Sequence, residues 1–580
     1  MSKYIIFIIV IIGLVYANSL FNGFVYDDGA VMVDNTFIKS PKNLKLFFSR
    51  RYLTDPREAL FYLGNYNVGS GEGSYRPVAT LSYFLNYFLF KLKPFGWHAT
   101  NVLLHIFCAV AVFYLTNYLF GNPALSFLTS LVFGVHPVNV EVINCSAFRP
   151  NTLALLFSAS AIILYFKYVY LGRRKHILFS SLFLFALSLF SKEIAIFMPV
   201  SLIICDYFKN DFSFKAIAKN LKIYSLYFLL CFFYLYIYFF VFTPTMEVLG
   251  SSELPFTDIL RMFYVFGFYF KDLVFPRDLT FVTRHIRAYS PALTAFGAIV
   301  TILCVYIVFK KSKSQKVISF AVAWFFLWLL PMNNFMFPSR IPIAYRYLYF
   351  PLFGFSLVLS VFLLKIWNGN FRFLAKDFFL RHILVFMAIG YFAIHTISAN
   401  LLWKNNLVLY LSLVEKYPQS PSAHTAFGIV LLGYGNLEEA QQEFETVLSF
   451  DRREISRNDL TSAYYSLGRI YAEKGDYSKA EELFRRSRAI SDPFADSLFY
   501  AELGNLRIKQ GLYDEALGYF NLAIEENPLN SPAYVGRGII YALTDKKEQA
   551  RKEWLKALEV NPYSEFAKHN LEVLEKGDQK

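Results

Sequence analysis

Two adjacent carboxylates, Asp27 and Asp28, follow the first apolar run of the chain within Phe24-Val25-Tyr26-Asp27-Asp28. Paired carboxylates at a membrane surface lose hydration and repel each other, so a metal, a basic partner or a proton-transfer role must offset that cost. A solvated pair capping a short helix is the plain alternative. Other ionisable residues recur where apolar runs end. Arg76 lies in Tyr75-Arg76-Pro77, His98 in Trp97-His98-Ala99-Thr100-Asn101, and His105 follows. His136 and Glu141 bound His136-Pro137-Val138-Asn139-Val140-Glu141, then come Arg149, Lys192-Glu193, and Arg346 within Tyr345-Arg346-Tyr347-Leu348-Tyr349. Charged groups flanking or entering membrane helices are functional-site candidates by default. His98, His105 and His136 have no metal-ligand spacing among themselves, which leaves structural hydrogen bonding as their reading.

The elements that must position these groups are membrane helices. Hydrophobic residues make up 56% of the 580, only 17% are charged, and mean hydropathy is +0.38. Apolar runs of spanning length recur up to about residue 402, more than a soluble fold could cover. The formal charge of +14 does not point to nucleic acid, because many basic residues sit in short clusters between apolar runs, as cytoplasmic loops carry them. Five scattered cysteines give no CxxC or Cys/His pattern. The first run, Tyr4 to Tyr16, could be a signal peptide with Val15-Tyr16-Ala17 as cleavage site. The spans that follow favour an uncleaved helix.

Eleven spans are expected, at 4–22, 97–119, 124–138, 150–170, 177–191, 194–208, 223–243, 292–309, 317–335, 347–365 and 382–402. The stretch 257–275, broken by Arg261, Lys271 and Asp272, reads as a helix in or dipping into the outer leaflet. With the N-terminus cytoplasmic, the basic clusters at 172–176, 209–222, 310–316 and 365–381 then fall inside. The loop 23–96, the segments 136–149 and 336–346, and Lys192-Glu193 share the outer face, together with the C-terminal domain. Gly69-Ser70-Gly71-Glu72-Gly73 lacks the Lys-Ser/Thr of a phosphate loop and reads as a mobile part of the outer loop. Asn144-Cys145-Ser146 fits a glycosylation sequon, a match near chance. Short loops and the absence of targeting tails point to a bacterial inner membrane.

From about residue 421 the chain becomes charged and periodic. Gly435, Gly475 and Gly511 each precede an alanine by five residues (Ala440, Ala480, Ala516), and Asp545 with Ala550 continues the series. A large aromatic follows each alanine by four: Phe444, Phe484, Phe520 and Trp554. Tyr464, Leu467-Gly468 and Tyr471 fill first-helix positions of the second unit, and Pro528 and Pro562 close the last two. The period of about 34–40 residues resembles the tetratricopeptide repeat, with units at 421–454, 461–494, 496–530 and 531–564. Such arrays stack into a superhelix whose groove commonly binds protein or peptide.

The order of these motifs, more than any one of them, resembles the transmembrane and tetratricopeptide-repeat O-mannosyltransferases and their bacterial relatives, within the GT-C class of membrane glycosyltransferases. The resemblance rests on Asp27-Asp28, Arg76-Pro77, the 136–141 stretch, Ser191-Lys192-Glu193, Arg346-Tyr347-Leu348-Tyr349 and the terminal repeats. Phe148-Arg149-Pro150-Asn151 stands where the family commonly reads Gly-Arg-Ala-Asp, and Tyr345 stands where it commonly has Glu. The implied fold is all-α: a polytopic GT-C-like domain over 1–405, with 23–96 as first outer loop, followed by a repeat solenoid over 411–580.

The implied activity moves a sugar, mannose by the family's example, from a polyprenyl-phosphate-linked donor to an acceptor hydroxyl, on a protein or peptide held by the repeats. Such a hydroxyl needs a general base as it attacks the anomeric carbon, a task for Asp27 or Asp28 while the other orients it or binds a cation. The leaving phosphate needs cationic stabilisation, for which Arg149, Lys192, Arg346 and Arg76 are candidates, with Glu141, Glu193, His136 and His98 in support. Each basic residue could instead serve a structural ion pair or reach to lipid headgroups. Direct displacement would invert the anomeric centre. A divalent cation, Mg or Mn, is the one cofactor the carboxylate pair would admit; membrane lipid is a partner and nucleic acid is not. Two other readings compete. A polysaccharide polymerase or ligase would place its large loop between late spans, and a membrane-anchored scaffold would make no use of the aspartates.

Overall fold

The computed structural model describes residues 1–35, 37–48, 75–242, 256–277, 279, 290–310, 315–332, 343–370, 377–491, 496–561 and 564–578. The stretch 69–73 and most of 336–346 lie outside the described residues. The chain forms two compact units, Met1–Gly29 with Ser74–Leu409, and Ala30–Gly73 with Tyr410–Lys580.

The first unit contains α1 (Ser2–Val15), α2 (Pro77–Phe90), α3 (Pro94–Phe120), α4 (Pro123–Val135), α5 (Val140–Asn144), α6 (Arg149–Leu171), α7 (Lys175–Leu189), α8 (Met198–Lys209), α9 (Phe214–Tyr236), α10 (Phe256–Val274), α11 (Pro291–Phe309), α12 (Lys316–Leu329), α13 (Leu352–Trp367) and α14 (Phe378–Leu402). Each of the eleven apolar stretches expected to span overlaps one of these helices. Among the described residues five helices are long and apolar enough to cross a membrane, or six if the bent pair Pro123–Val135 and Pro137–Asn144 is one span. The protein is a multi-pass membrane protein. Four more, α1, α7, α12 and α13, are apolar but only 14 to 16 residues long. The expected span 4–22 is divided, because α1 ends at Val15 and a 3-10 turn, Ala17–Phe21, takes over. α8 carries Asp206 and Lys209, and neither it nor α10 is among the helices that pass.

Helix starts follow local chemistry. Proline occupies the first turn of α2, α3, α4 and α11, where its missing N–H leaves nothing unsatisfied. The Asn122 side chain caps α4 by accepting the Ala124 and Leu125 amides at 3.1 and 3.0 Å. The 51° bend after Val135 has a specific cause. Pro137 cannot donate to the turn before it, so the last carbonyls of α4 lose their partners. Three side chains replace them. Asn139 Nδ2 donates to Phe133 O at 2.7 Å, the His105 ring bonds Gly134 O at 2.9 Å, and Thr396 Oγ1 donates to Val135 O at 2.6 Å. Inside a membrane protein such replacement is obligatory, since lipid offers no hydrogen bond.

α10 and α11 cross at two glycines. A Cβ on Gly297 would lie 2.0 Å from Phe263 O, and one on Gly267 would lie 2.1 Å from Leu293 O. Small residues let the backbones touch there, a common device where lipid supplies no hydrophobic drive between helices.

In the second unit the repeats form helix pairs: Pro421–Gly433 with Leu437–Ser449, Arg457–Glu473 with Tyr477–Ile490, Asp496–Lys509 with Tyr513–Glu526, and Ser531–Leu543 with Lys547–Val560. Glu565–Asp578 follows as the last helix. The four turns share one device. Gly435, Gly475, Gly511 and Asp545 all have positive φ, from 57° to 85°, so Asp545 holds the left-handed place that glycine holds elsewhere. Within each pair the aromatic lies on a glycine of the preceding helix. Cβ atoms on Gly428, Gly468, Gly504 and Gly538 would meet Phe444, Phe484, Phe520 and Trp554 at 2.9, 2.7, 2.7 and 2.3 Å.

Candidate active site

The loop after α1 turns sharply at the carboxylates. The Asp28 amide donates to Val25 O at 3.0 Å, and Tyr26 inside that turn has φ +55°. A bulky aromatic rarely adopts this left-handed conformation, so the turn stores strain that its surroundings must hold. The Tyr26 amide donates to Asn406 Oδ1 at 2.9 Å, and Gly23 donates to Lys404 O at 2.8 Å. Asn22 donates to Asn144 Oδ1 at 2.7 Å and to Asn400 O at 2.9 Å. Asn144 in turn donates to Asn400 Oδ1 at 2.8 Å, and Asn400 to Asn18 Oδ1 at 2.8 Å. This asparagine ladder ties the loop to α5 and α14. Asn144 is wholly buried, so the folded chain cannot present it as a glycosylation acceptor.

The two aspartates occupy different environments. Asp28 is fully buried. Its Oδ1 accepts the Ala147 amide at 2.8 Å and the Cys145 thiol at 3.4 Å, and its Oδ2 accepts the Val25 amide at 3.4 Å. Burial pushes its pKa up to about 7; these hydrogen bonds oppose the rise and the charge of Asp27 adds to it. Asp27 opens to solvent, with the protein crowded around it. That crowding pushes its pKa up to about 6; Arg346 pulls it down and Glu141 pushes it up.

Arg346 reaches this site from the segment before α13. Its Nη1 donates to Glu141 Oε1 in a very short ion pair, and its amide donates to Glu141 Oε2 at 3.1 Å. The guanidinium stacks over Phe148, 4.5 Å from the ring centroid, and Phe148 also packs against Tyr26 at 6.0 Å. Tyr345, in the position where a glutamate was expected by resemblance, donates its hydroxyl to Asp272 Oδ2 at 2.8 Å. Two carboxylates therefore meet this motif, Glu141 from α5 at Arg346 and Asp272 from α10 at Tyr345.

Arg149 is enclosed. It is fully buried, and its Nε donates to Asn101 Oδ1 at 2.8 Å. Nη1 reaches Ser82 O and Oγ at 3.3 Å and Asn86 Oδ1 at 3.1 Å, Nη2 reaches Trp97 O at 3.5 Å, and the Tyr83 and Trp97 rings flank it at 5.2 and 5.4 Å. Among the described residues no carboxylate lies within ion-pair distance of it. Its donors bind α2 and α3 together rather than facing an open space.

Arg76 and Glu193 form a two-pronged pair, with Nε to Oε2 at 3.0 Å and Nη2 to Oε1 at 2.7 Å. Burial alone would raise the Glu193 carboxyl; the charge and hydrogen bonds of Arg76, helped by Lys192, hold it at about 2. Lys192 donates to Asn151 Oδ1 at 2.6 Å. Asn151 fills the position where the family commonly has an acid, so the lysine meets a neutral oxygen there.

The histidines bond backbone carbonyls. His98 bonds Gly23 O at 3.2 Å, and His136 bonds Leu273 O at 2.9 Å and stacks on Phe392. The sequence reading missed the asparagine ladder, the Phe148 platform and Asp272. Its available signal was the placing of asparagines within apolar runs. It also missed Asp206, a fully buried carboxylate on α8. Asp206 accepts the Tyr165 and Tyr224 hydroxyls in very short bonds, Tyr170 at 2.9 Å and Asn220 at 3.0 Å.

Asp27 is the carboxylate of the pair that stays open to solvent. Three protein donors already occupy the Asp28 oxygens, and among the described residues no three His, Cys, Asp or Glu gather as a donor set.

Comparison with known proteins gives two results. Tetratricopeptide-repeat family models match residues 419–492 and 502–564. The human protein O-mannosyl-transferase TMTC3 is 24% identical over 99% of this chain and 66% of its own length. The Caenorhabditis elegans protein O-mannosyl-transferase F38B6.6 is 26% identical over 75% of this chain and 61% of its own, and mouse TMTC1 is 33% identical over 26% and 15%. The chain thus spans just under two thirds of the human relative. An Archaeoglobus fulgidus oligosaccharyltransferase aligns with 69% of the chain at TM-score 0.40 and 12% identity, too slight a likeness to bear on function. The chain is a homologue, over nearly its whole length, of proteins named protein O-mannosyl-transferase, and its C-terminal part is an array of tetratricopeptide repeats.

Proposed function

We propose that the protein is a membrane glycosyltransferase that moves a sugar, mannose by the example of its relatives' name, from a polyprenyl-phosphate-linked donor to a protein hydroxyl on the extracytoplasmic face. One observation carries the reading. Asp27 is an open carboxylate of raised pKa, set beside a second carboxylate whose oxygens are committed to the protein. A base must accept a proton near working pH, and a pKa of about 6 suits that task. Asp28, clamped by Ala147, Val25 and Cys145, acts as the positioning residue.

In this reaction the acceptor hydroxyl gives its proton to Asp27 Oδ as its oxygen bonds to the anomeric carbon. The bond from that carbon to the donor phosphate breaks, and the lipid phosphate leaves with the electron pair. A single displacement inverts the centre. Arg346 beside Asp27 and Lys192 on a neutral asparagine are the cations assigned to the departing phosphate. Arg76, paired with Glu193, supports Lys192, and Arg149 holds α2 to α3. The repeats are assigned to the acceptor, on the same extracytoplasmic side.

Transfer from a lipid-linked mannose donor in membrane vesicles tests this directly. Asp27→Asn removes transfer while the folded protein persists; full activity in that variant would sink the assignment of the base. Mass spectrometry of outer-face proteins with and without the chain identifies the sugar and its acceptor.

A further inference from the structure

Three consecutive residues ending in Arg346 are each held by a side chain from another helix. The Tyr269 hydroxyl of α10 donates to Ala344 O and accepts the Ala344 amide, both at 3.1 Å. One hydroxyl can do both because Ala344 is extended, with φ −153° and ψ 136°, which turns its N–H and C=O to the same side. The Tyr345 hydroxyl donates to Asp272 Oδ2 at 2.8 Å. The Arg346 amide donates to Glu141 Oε2 at 3.1 Å, and its guanidinium pairs with the other Glu141 oxygen. Ala344 O also accepts the Tyr347 amide at 3.1 Å, so the turn that carries Arg346 is anchored where it begins.

The holding residues of α10 share one face. Asp272 follows Phe268 by four and Tyr269 by three, the spacing of helical neighbours. Phe268 stacks on the Tyr345 ring, with centroids 6.4 Å apart. Tyr269 is wholly buried, and Asp272, Ala344 and Tyr345 are at most 2% exposed. Burying a carboxylate in an apolar run is costly unless its hydrogen bonds serve a purpose. The helix itself is fixed against α11 by the backbone approach at Gly267 and Gly297. Arg346, by contrast, keeps 13% of its side chain exposed, over the Phe148 ring.

We propose that Tyr269 and Asp272 are positioning residues for Arg346, fixing the segment that presents its guanidinium beside Asp27. The proposal rests on the assignment of Arg346 to the departing phosphate in the preceding section. A cation stabilises a transition state best when it is already in place as the charge develops. Glu141 holds the guanidinium, and α10 holds the backbone behind it. Asp272, one of the charges that break the apolar run 257–275, owes its place to that task.

Two measurements on the full chain test this. One is amide hydrogen exchange over 343–349 in lipid nanodiscs. The other is transfer from polyprenyl-phosphate-linked mannose to the proteins of membrane vesicles. Tyr269→Phe keeps the ring and removes both hydrogen bonds to Ala344. It is expected to speed exchange in that segment and to lower kcat roughly tenfold, the scale of lost neutral hydrogen bonds. Arg346→Gln is expected to lower kcat by about 10²- to 10³-fold. The double variant is expected to be no slower than Arg346→Gln alone, because the clamp acts through that arginine. A general folding defect would multiply the two losses instead. Asp272→Asn keeps an oxygen for the Tyr345 hydroxyl and is expected to recover part of the transfer that Asp272→Ala loses. If Tyr269→Phe fails to fold, the Asp272 variants and their combination with Arg346→Gln decide. Multiplied losses, or unchanged exchange in Tyr269→Phe, overturn the proposal. Full transfer by Arg346→Gln removes the phosphate assignment and the proposal together. Lost transfer in Arg346→Gln beside wild-type transfer in Tyr269→Phe and Asp272→Ala overturns the clamp alone.

Discussion

Asp28 Oδ1 accepts the amide of Ala147, 119 residues further along the chain, at 2.8 Å. That bond joins the strained turn after the first helix to the start of α6, and it commits one carboxylate of the pair to position. Asp27 is left as the one that can exchange a proton.

Exchange of each aspartate should separate these roles. Asp27→Asn is expected to lower kcat by about 10²- to 10⁴-fold with little change in thermal stability. Asp28→Asn puts an NH₂ group against a backbone donor and should cost about 1–3 kcal/mol of stability as well as activity. Thermal unfolding and vesicle transfer assays on both variants check the split.

Activity should rise with pH through about 6, because Asp27 must be ionised to take a proton. Stability should run the other way. Both aspartates have folded pKa values above their unfolded ones, so their contribution is fully present below about 4 and is lost as pH rises through about 6 to 7. Unfolding temperatures between pH 4 and 8 should therefore fall more for the wild type than for the double Asn variant. An opposite trend would refute the buried, raised state of Asp28.

Arg149→Lys keeps the charge and loses the planar fork that reaches Asn101, Ser82, Asn86 and Trp97. The expected result is a stability loss of roughly 3 kcal/mol from broken charged hydrogen bonds, with the KM for donor unchanged in the protein that remains folded. A rise in KM at unchanged stability would return Arg149 to the phosphate.

Gly504→Val in the repeats would drive a side chain into Phe520, where even a Cβ would come within 2.7 Å. Overpacking of this kind costs about 1–3 kcal/mol. Chemical denaturation of the full chain should show an earlier transition for the repeat unit and leave the membrane unit unchanged.

The alternation of apolar runs with basic clusters, and the recurrence of Ala440, Ala480, Ala516 and Ala550 before aromatics, made the two kinds of helical unit legible without coordinates. Both signals are local. Hydropathy over one helix length and spacing within one hairpin are properties of neighbouring residues. Asp27 and Asp28 were also visible as an unusual pair, though identical on paper. Only the tertiary structure distinguished them, since burial and hydrogen bonding to Ala147 and Cys145 depend on residues more than a hundred positions away. The same holds for Arg149, read as a phosphate ligand and found enclosed, and for Tyr345, whose carboxylate partner is Asp272 on another helix. Sequence determined which segments seek the membrane and which groups carry charge. Packing across distant helices decided which of those charges are committed to the fold and which face the open site.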